Sequence, residues 1–338
     1  MLEPRCPMHT NVDLPLTIKA DSAEATLTDW NATHRATWPT LLWQHRALLF
    51  RGFAHPGGLE QISRCFFDER LAYTYRSTPR TDVGQHVYTA TEYPRQLSIA
   101  QHCENAYQRV WPMKLLFHCV QPASEGGCTP LADMLKVTAA IDPQVREIFA
   151  RKQVRYVRNY RAGVDLPWED VFNTRNKQEV EAYCARNDMQ CEWTGDGLRT
   201  SQICRAFACH PATGDEVWFN QAHLFHYTAL EAAAQKMMLS FFGEQGLPRN
   251  AYFGDGTPID PAMLDHVRTV FAQHKIHFDW HRDDVLGGST IWLVSHGREP
   301  YEGSRKILVC MAEPYSPEQS SPDIAARSDG EAMLKLHV

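Results

Sequence analysis

The sequence predicts a mainly β protein whose strand core carries helical insertions. Short apolar runs typical of strands cluster in the first 120 residues and again over residues 285–311, while the clearest helical periodicity lies between them. Strands and helices do not alternate regularly, as a parallel α/β sheet would require. The 338 residues contain no internal repeat and no low-complexity break, and that length suffices for one large domain.

The elements of the N-terminal half follow from apolar spacing. After an irregular arm or edge strand over the first twenty residues, tryptophans and leucines near helical spacing predict one or two short helices within residues 23–45. Residues 47–53 form an apolar run ended by Gly52, which predicts a buried strand. The other elements predicted in this half are a helix at 58–70, strands at 87–89, 97–99 and 114–120, a loop at 122–127, and a helix over 133–152 that breaks at Pro143.

The C-terminal half is expected to return from helices to strands. The predicted elements are a strand near 154–157, an amphipathic helix at 177–187, a strand pair within 196–220, helices at 229–242 and 261–274, and strands over 285–311. Pro211–Asp215 supplies turn residues between the paired strands. We expect a single domain over residues 1–315 and a loose polar tail over residues 316–338.

Composition excludes several classes of function. A net charge of −6 offers no basic surface for nucleic acid and no polybasic patch for a membrane. The ten cysteines form neither C-x-x-C nor a zinc-ribbon spacing. No apolar run approaches the roughly 18 residues of a spanning helix, and the N-terminus lacks the apolar core of a signal peptide. We therefore expect a cytoplasmic protein with free thiols that acts on a small molecule; nothing in the sequence indicates an oligomeric state.

A candidate metal site begins in residues 101–107, QHCENAY. Residues i and i+2 of a strand point to the same face, so His102 and Glu104 are expected to project together. They would supply two of the three protein ligands of a 2-His-1-carboxylate site for non-haem Fe(II). With 16 histidines in the chain this spacing also arises by chance, and the alternative is a solvated pair on an exposed strand.

A second group of polar residues stands near the C-terminus. Apolar strand residues lead into His296, a turn rich in Gly and Pro follows, and a second strand begins at Arg305. If these strands are neighbours, Arg305 lies near His296, where a guanidinium can hold a carboxylate through two hydrogen bonds. A metal ligand beside such an arginine suits a keto-acid cosubstrate. The alternatives are a buried histidine satisfied by a backbone carbonyl and an arginine in a surface salt bridge.

Together with further motifs that occur along the chain in the family's order, these residues resemble the Fe(II)/2-oxoglutarate-dependent oxygenases of the taurine dioxygenase (TauD/TfdA-like) family. The resemblance is closest to the branch similar to the syringomycin biosynthesis hydroxylase, which oxidises amino acids, free or carried on a peptidyl carrier protein. It covers most of the chain, up to Met311. The motifs that carry it are residues 48–53 (LLFRGF), 88–94 (YTATEYP), 126–130 (GGCTP), 217–226 (VWFNQAHLFH) and 252–259 (YFGDGTPI).

The resemblance implies a double-stranded β-helix, a jelly-roll or cupin-like core of two packed sheets. It implies iron ligands and residues for the distal carboxylate of 2-oxoglutarate, namely His102, Glu104 and His296 for iron and Thr129 and Arg305 for the cosubstrate. One departure concerns the Asp-Asn pair that this branch usually carries shortly before the distal histidine, because Thr290-Ile291 stands there. That departure affects the hydrogen bonds around the ligand rather than the ligand itself.

The implied reaction is hydroxylation of an unactivated C–H bond in a small polar substrate of specialised metabolism. O2 and 2-oxoglutarate would be consumed, and succinate and CO2 released. Desaturation or cyclisation at the same centre is an alternative, and a non-catalytic cupin-like metal-binding protein is an alternative from another class. Residues expected to contact the substrate are Asn105, Tyr107, Trp218, Asn220, Gln221, His223 and Arg298. His223 and His226 also have the spacing of a second metal pair, but a core or pocket-lining position is the preferred interpretation.

Overall fold

The strands form one large and several smaller sheets. The computed structural model describes residues 13–161, 163–195, 197–211, 214–290 and 293–316. The strands are β1 Leu16–Lys19, β2 Leu48–Arg51, β3 Asp82–Gly84, β4 Val87–Thr89, β5 Ile99–His102, β6 Trp111–Gln121, β7 Glu125–Gly126, β8 Leu131–Asp133, β9 Val154–Tyr160, β10 Gln190–Thr194, β11 Gly197–Cys204, β12 Phe207–Cys209, β13 Glu216–Trp218, β14 Arg249–Phe253, β15 Val285–Thr290, β16 Val294–Arg298, β17 Tyr301–Glu302 and β18 Lys306–Tyr315.

Helices fill the connections between these strands. They are α1 Leu27–His34, α2 Trp38–His45, α3 Gly58–Phe66, α4 Met134–Ala140, α5 Pro143–Lys152, α6 Trp168–Phe172, α7 Lys177–Arg186, α8 Ala222–Phe225, α9 Ala232–Phe242 and α10 Pro261–Gln273. The predicted break at Pro143 is confirmed: Asp142 caps the next helix through the amide of Gln144, and proline at the first helical position needs no hydrogen-bond partner for its nitrogen. None of the helices in the described ranges is long and apolar enough to span a membrane.

The largest sheet combines strands from both halves of the chain. Its seven strands have the order β1-β2-β15-β6-β18-β4-β3, with β6 paired antiparallel to β15 and β18. A three-stranded sheet, β5-β16-β8, lies opposite, and the Phe117 ring of β6 contacts the His296 ring of β16 at 5.2 Å between centroids. The two facing sheets agree with the predicted jelly-roll core and confirm a mainly β fold with helical insertions.

Alternating side chains explain why β6 has so few polar positions. Leu115 and Phe117 point into the interior between the sheets, while Leu116 points to the outer face. There Leu116 packs with Phe50 of β2 and with residues of α3, including Phe66. Because β6 is buried on both faces, its sequence is a nearly continuous apolar run rather than an alternating one.

The middle of the chain holds more strands than were predicted, because β10 and β14 join the strands expected near residues 154–157 and within residues 196–220. It contains a four-stranded antiparallel sheet of order β10-β11-β9-β14. The strand pair predicted within residues 196–220 is also wrong in part, because β11 pairs with β9 and β10 while only β12 and β13 form the hairpin. Local alternation identifies a strand but carries no information about its partner. The tail prediction for residues 317–338 lies outside the described residues.

Candidate active site

His102 and His296 face each other across two paired strands. They are opposite residues in the antiparallel pairing of β5 and β16, with ring centroids 4.5 Å apart. The Nδ1 of His102 lies 2.8 Å from the carbonyl oxygen of Ala100. A proton on Nδ1 donates to that carbonyl and leaves the Nε2 lone pair free, which is the arrangement commonly found behind a metal-bound imidazole.

Glu104 reaches the two histidines by a route that the strand pattern does not predict. β5 ends at His102, and Glu104 lies in a turn whose next residue, Asn105, has a φ of 57°. The expectation that His102 and Glu104 share one strand face is therefore wrong, although their side chains do converge. Glu104 Oε2 lies 3.4 Å from His296 Nε2, and one donor atom from each of the three residues lies within 4.8 Å of the others.

A buried arginine neutralises the carboxylate. Arg80 donates from Nη2 to Glu104 Oε2 at 2.9 Å, and its guanidinium lies over the Tyr73 ring at 4.7 Å. Burial alone would raise the pKa of the Glu104 carboxyl, but the Arg80 charge and the contact with His296 outweigh it and hold that pKa well below its usual range.

His102, next to Glu104, is shifted toward its neutral form. Burial, followed by the proximity of His296, lowers the pKa of His102 to about 4. At neutral pH Glu104 is therefore charged and His102 is uncharged. These are the protonation states in which both groups can bind a metal ion.

Thr129 and Arg305 form the other half of the site. Arg305 donates from Nη2 to Thr129 Oγ1 at 3.2 Å and from Nε to the Gly127 carbonyl at 2.8 Å. Trp280 donates its indole N–H to the same Thr129 hydroxyl at 3.0 Å. Gly127 has a φ of 69°, and a Cβ there would lie 3.0 Å from Arg305 Cδ, so the close approach of the arginine favours glycine.

Arg305 reaches this position from the facing sheet. The condition under which the sequence placed Arg305 near His296, that their strands are neighbours, is not met, since β16 belongs to the three-stranded sheet and β18 to the seven-stranded one. The predicted proximity still arises because the two sheets face each other. Arg305 is half-buried, whereas the adjacent Lys306 is exposed. Burial and the nearby Arg298 lower the pKa of Arg305 to about 10, so it is a cation at neutral pH.

A cavity connects the two halves. Its lining combines the histidines, the arginine–threonine pair and an apolar wall, namely Arg80, Ala90, Thr91, Ile99, His102, Phe117, Thr129, His296, Gly297, Arg298, Arg305 and Ile307. Two imidazoles and a carboxylate fit the donor set of a non-haem Fe(II) centre with open positions. The half-buried guanidinium of Arg305 and the Thr129 hydroxyl across the same cavity fit a carboxylate. The residues present therefore suit both the metal and the cosubstrate that the resemblance implies.

Arg298 lines this cavity, but its guanidinium is engaged by the backbone. It donates to the carbonyls of Tyr93, Pro94 and Leu97 at 2.5–2.9 Å. These bonds fix the loop before β5 against β16. Arg298 is thus placed to shape the wall beside Arg305.

Two of the predicted substrate residues lie behind the site instead of in its cavity. Gln221 donates its amide to the Cys103 carbonyl at 2.7 Å, and His223 Nε2 lies 3.0 Å from the Gln101 carbonyl. Both contacts hold the backbone that carries His102. His226 contacts the Thr228 hydroxyl instead, so His223 and His226 do not converge on one metal position.

The remaining predicted substrate residues are buried and, among the described residues, are not part of the cavity lining: Asn105, Tyr107, Trp218 and Asn220. The Tyr107 hydroxyl donates to the Tyr75 carbonyl, and the Asn220 amide donates to the Ala206 carbonyl. Trp218 is fully buried and packs on Phe149. In this structure these side chains support the fold around the site.

Sequence reasoning missed Arg80, Phe117 and Trp280. Arg80 and Trp280 stand in segments without a recognisable motif, and no local signal marks them. Phe117 had a usable signal, because strand alternation places it on the same face of β6 as Leu115. The departure at Thr290-Ile291 falls partly outside the described residues, since Ile291 is not among them.

The chain is similar in sequence to known proteins. The family model described as "Taurine catabolism dioxygenase TauD, TfdA family" matches residues 10–311. The chain is 40% identical over 313 residues to the dapdiamide synthesis protein DdaC of Enterobacter agglomerans, covering 92% of this chain and 94% of the relative. It is 27% identical over 288 residues to the clavaminate synthase-like protein At3g21360 of Arabidopsis thaliana, covering 81% and 83%.

A solved structure shares the fold. The crystal structure of PvcB from Pseudomonas aeruginosa superposes with a TM-score of 0.50 and 16% sequence identity, covering 91% of this chain and 88% of that one.

Proposed function

Because the chain belongs to the taurine catabolism dioxygenase TauD, TfdA family, we propose that it is an Fe(II)- and 2-oxoglutarate-dependent oxygenase that hydroxylates an amino acid in a biosynthetic pathway. The observation that carries the proposal is the convergence of His102, Glu104 and His296 within 4.8 Å, with Arg305 and Thr129 across the same cavity. The balanced reaction consumes substrate, O2 and 2-oxoglutarate and yields hydroxylated substrate, succinate and CO2.

The first task of the protein is to hold the metal and keep positions open. His102, Glu104 and His296 would bind Fe(II), and when bound the metal would activate O2 with 2-oxoglutarate as the source of two electrons. Arg80 keeps Glu104 charged in a buried setting, and the Ala100 carbonyl keeps the Nε2 of His102 unprotonated.

The second task is to orient the cosubstrate. Arg305 would bind the distal carboxylate of 2-oxoglutarate through its guanidinium, and Thr129 would add a hydroxyl. The Gly127 carbonyl and the Trp280 indole fix these two side chains before the ligand arrives. Such preorganisation reduces the entropy lost on binding.

The substrate class rests on the relatives and on the shape of the site. DdaC is named for dapdiamide synthesis, which supports a biosynthetic role here. A second cleft adjoins the cavity and extends along residues 89–93 and Tyr301. The two share Ala90, Thr91, Arg298, Arg305 and Ile307. A substrate could enter along this cleft while the cosubstrate remains on Arg305. We propose an amino acid, either free or presented by a peptidyl carrier protein.

Glu104 favours hydroxylation over halogenation. Its carboxylate would occupy the coordination position that a halide needs, and replacing one anion by another there has no evident driving force. Turnover at saturating chloride or bromide is therefore expected to give a product heavier by one oxygen atom. A halogenated main product, identified by mass spectrometry, would contradict this assignment.

The central test is coupled turnover. The protein with Fe(II), 2-oxoglutarate and O2 is offered a panel of free and carrier-loaded amino acids, and both succinate and product mass are measured. Succinate formation coupled to a one-oxygen mass gain supports the proposal. The control pair is His296→Ala against His277→Ala, because His277 is an exposed histidine outside the cavity. Metal binding without any consumption of O2 would favour the cupin-like binding protein instead, and loss of two hydrogens would indicate desaturation or cyclisation.

A further inference from the structure

A second cluster of metal-binding side chains lies on the outer face of the large sheet. His55 follows β2, His118 is in β6, and Asp283 precedes β15. One donor atom from each lies within 4.8 Å of the other two. We propose that these residues form a second divalent-metal site, which takes Zn²⁺ or a similar transition-metal ion with water as an additional ligand.

The distances suit such an ion. His55 Nε2 and His118 Nε2 share a hydrogen bond at 2.9 Å, which the ion would replace, and His118 Nε2 lies 3.6 Å from Asp283 Oδ1. Tetrahedral ligands about 2.0–2.1 Å from a Zn²⁺ ion lie roughly 3.3 Å from one another, a value between these two distances. A small separation of the two rings would therefore place one ion in contact with all three side chains.

The cluster is separate from the candidate iron site. Phe117, which contacts His296, points into the interior between the two sheets. Successive residues of a strand point to opposite faces, so His118 projects from the other face of β6. The backbone of the seven-stranded sheet thus divides the two clusters, and neither shares a ligand with the other.

Two of the ligands are held in place by the backbone. His55 Nδ1 lies 3.0 Å from the Phe53 carbonyl, so a proton there leaves the Nε2 lone pair directed at His118. The Asp283 amide donates to the Cys119 carbonyl at 2.7 Å. The next residue, Asp284, is fully buried and paired with Arg51 at 2.7 Å, which anchors the loop.

The chemistry favours Zn²⁺ over Mg²⁺ or Ca²⁺. Imidazole nitrogen is a good ligand for zinc, copper, iron and nickel, whereas magnesium and calcium prefer oxygen ligands. The site has three protein ligands, and the exposed Asp283 side leaves room for water. A bound ion would connect the segments after β2, within β6 and before β15, so we expect it to stabilise the fold.

Metal counting in a two-by-two set of variants tests the proposal. The unmodified protein, His296→Ala, His55→Ala and the double variant are dialysed to equilibrium against Co²⁺, and bound metal is measured by elemental analysis. Circular dichroism checks that each variant is folded. We expect about two ions per chain in the unmodified protein, about one in each single variant and none in the double variant.

The outcomes separate this site from the candidate iron site. If the His55→Ala variant binds as many ions as the unmodified protein, the second site does not exist. Failure of the iron assignment would instead leave His296→Ala unchanged while His55→Ala still loses an ion. Either result is read directly from the stoichiometry.

A milder variant provides an independent readout. In the His296→Ala background, Zn²⁺ is expected to raise the melting temperature, and Asp283→Asn is expected to weaken that binding by at least about tenfold. Asparagine tolerates the φ of 67° at this position, so the variant should fold. Equal Zn²⁺ affinity with and without the Asp283 carboxylate would overturn the assignment of that ligand.

Discussion

Replacing Arg305 with alanine is expected to weaken 2-oxoglutarate binding while leaving the metal ligands intact. The guanidinium is half-buried, is fixed by Gly127 and Thr129, and remains cationic at neutral pH because its pKa is about 10. A hydrogen bond to a charged group contributes about 1.5–3 kcal/mol. Loss of that contribution corresponds to a dissociation constant higher by on the order of ten- to a hundredfold.

The assay is anaerobic calorimetric titration of 2-oxoglutarate into the Fe(II)-loaded protein. Lys306→Ala is the matched control, since it removes the same charge from the adjacent, exposed position. Arg305→Lys retains the charge but not the planar pair of donors, and we expect it to fall between alanine and arginine. If Lys306→Ala weakens 2-oxoglutarate binding as much as Arg305→Ala, the effect comes from the overall positive charge near the site. Arg305 is then not the residue that binds the carboxylate.

Three further predictions concern the metal ligands and their surroundings. His102→Ala or His296→Ala should abolish succinate formation, because each removes one of three protein ligands; turnover by either variant would refute the site. Arg80→Met should lower the free energy of unfolding of the metal-free protein by about 3–5 kcal/mol in urea, because Glu104 stays buried without its arginine partner. Fe(II) should reduce that loss. An equal loss with and without Fe(II) would contradict the role of Arg80 as the partner of Glu104. Burial lowers the pKa of His223 to about 4, below its unfolded value of about 6.5. The unfolded chain therefore binds the extra proton, and stability should fall by up to about 3 kcal/mol as pH drops through that window; His223→Gln should flatten the urea-unfolding profile, and an unchanged profile would argue against this histidine.

Most secondary structure could be predicted from local sequence. The apolar run of β2, the long strand β6, the paired helices α4 and α5, and helix α10 all appear near their predicted positions. Periodicity and caps depend on residues close together in the chain, so the sequence carries that information directly. The strands that pair with β11 could not be predicted from local sequence, because strand pairing is decided by packing between segments that are distant in the chain.

For the candidate site, too, one part could be predicted from the sequence and another part could not. The resemblance carried by the motifs around His102, Glu104, His296 and Arg305 indicated the chemistry, because the spacing of His102 and Glu104 alone also arises by chance. Only the tertiary structure decided how they meet: β5 pairs with β16, a turn returns Glu104, and the facing sheet supplies Arg305. It also decided which side chains line the cavity, placing Trp218 in the core.

Arg80 shows the physical reason for that division. The charge on Glu104 must be balanced once water is excluded, but any arginine whose backbone reaches the site could do so. The sequence determined that a buried carboxylate needs a partner. Only the folded chain, which brings the segment just before β3 next to the turn after β5, determined that Arg80 is that partner.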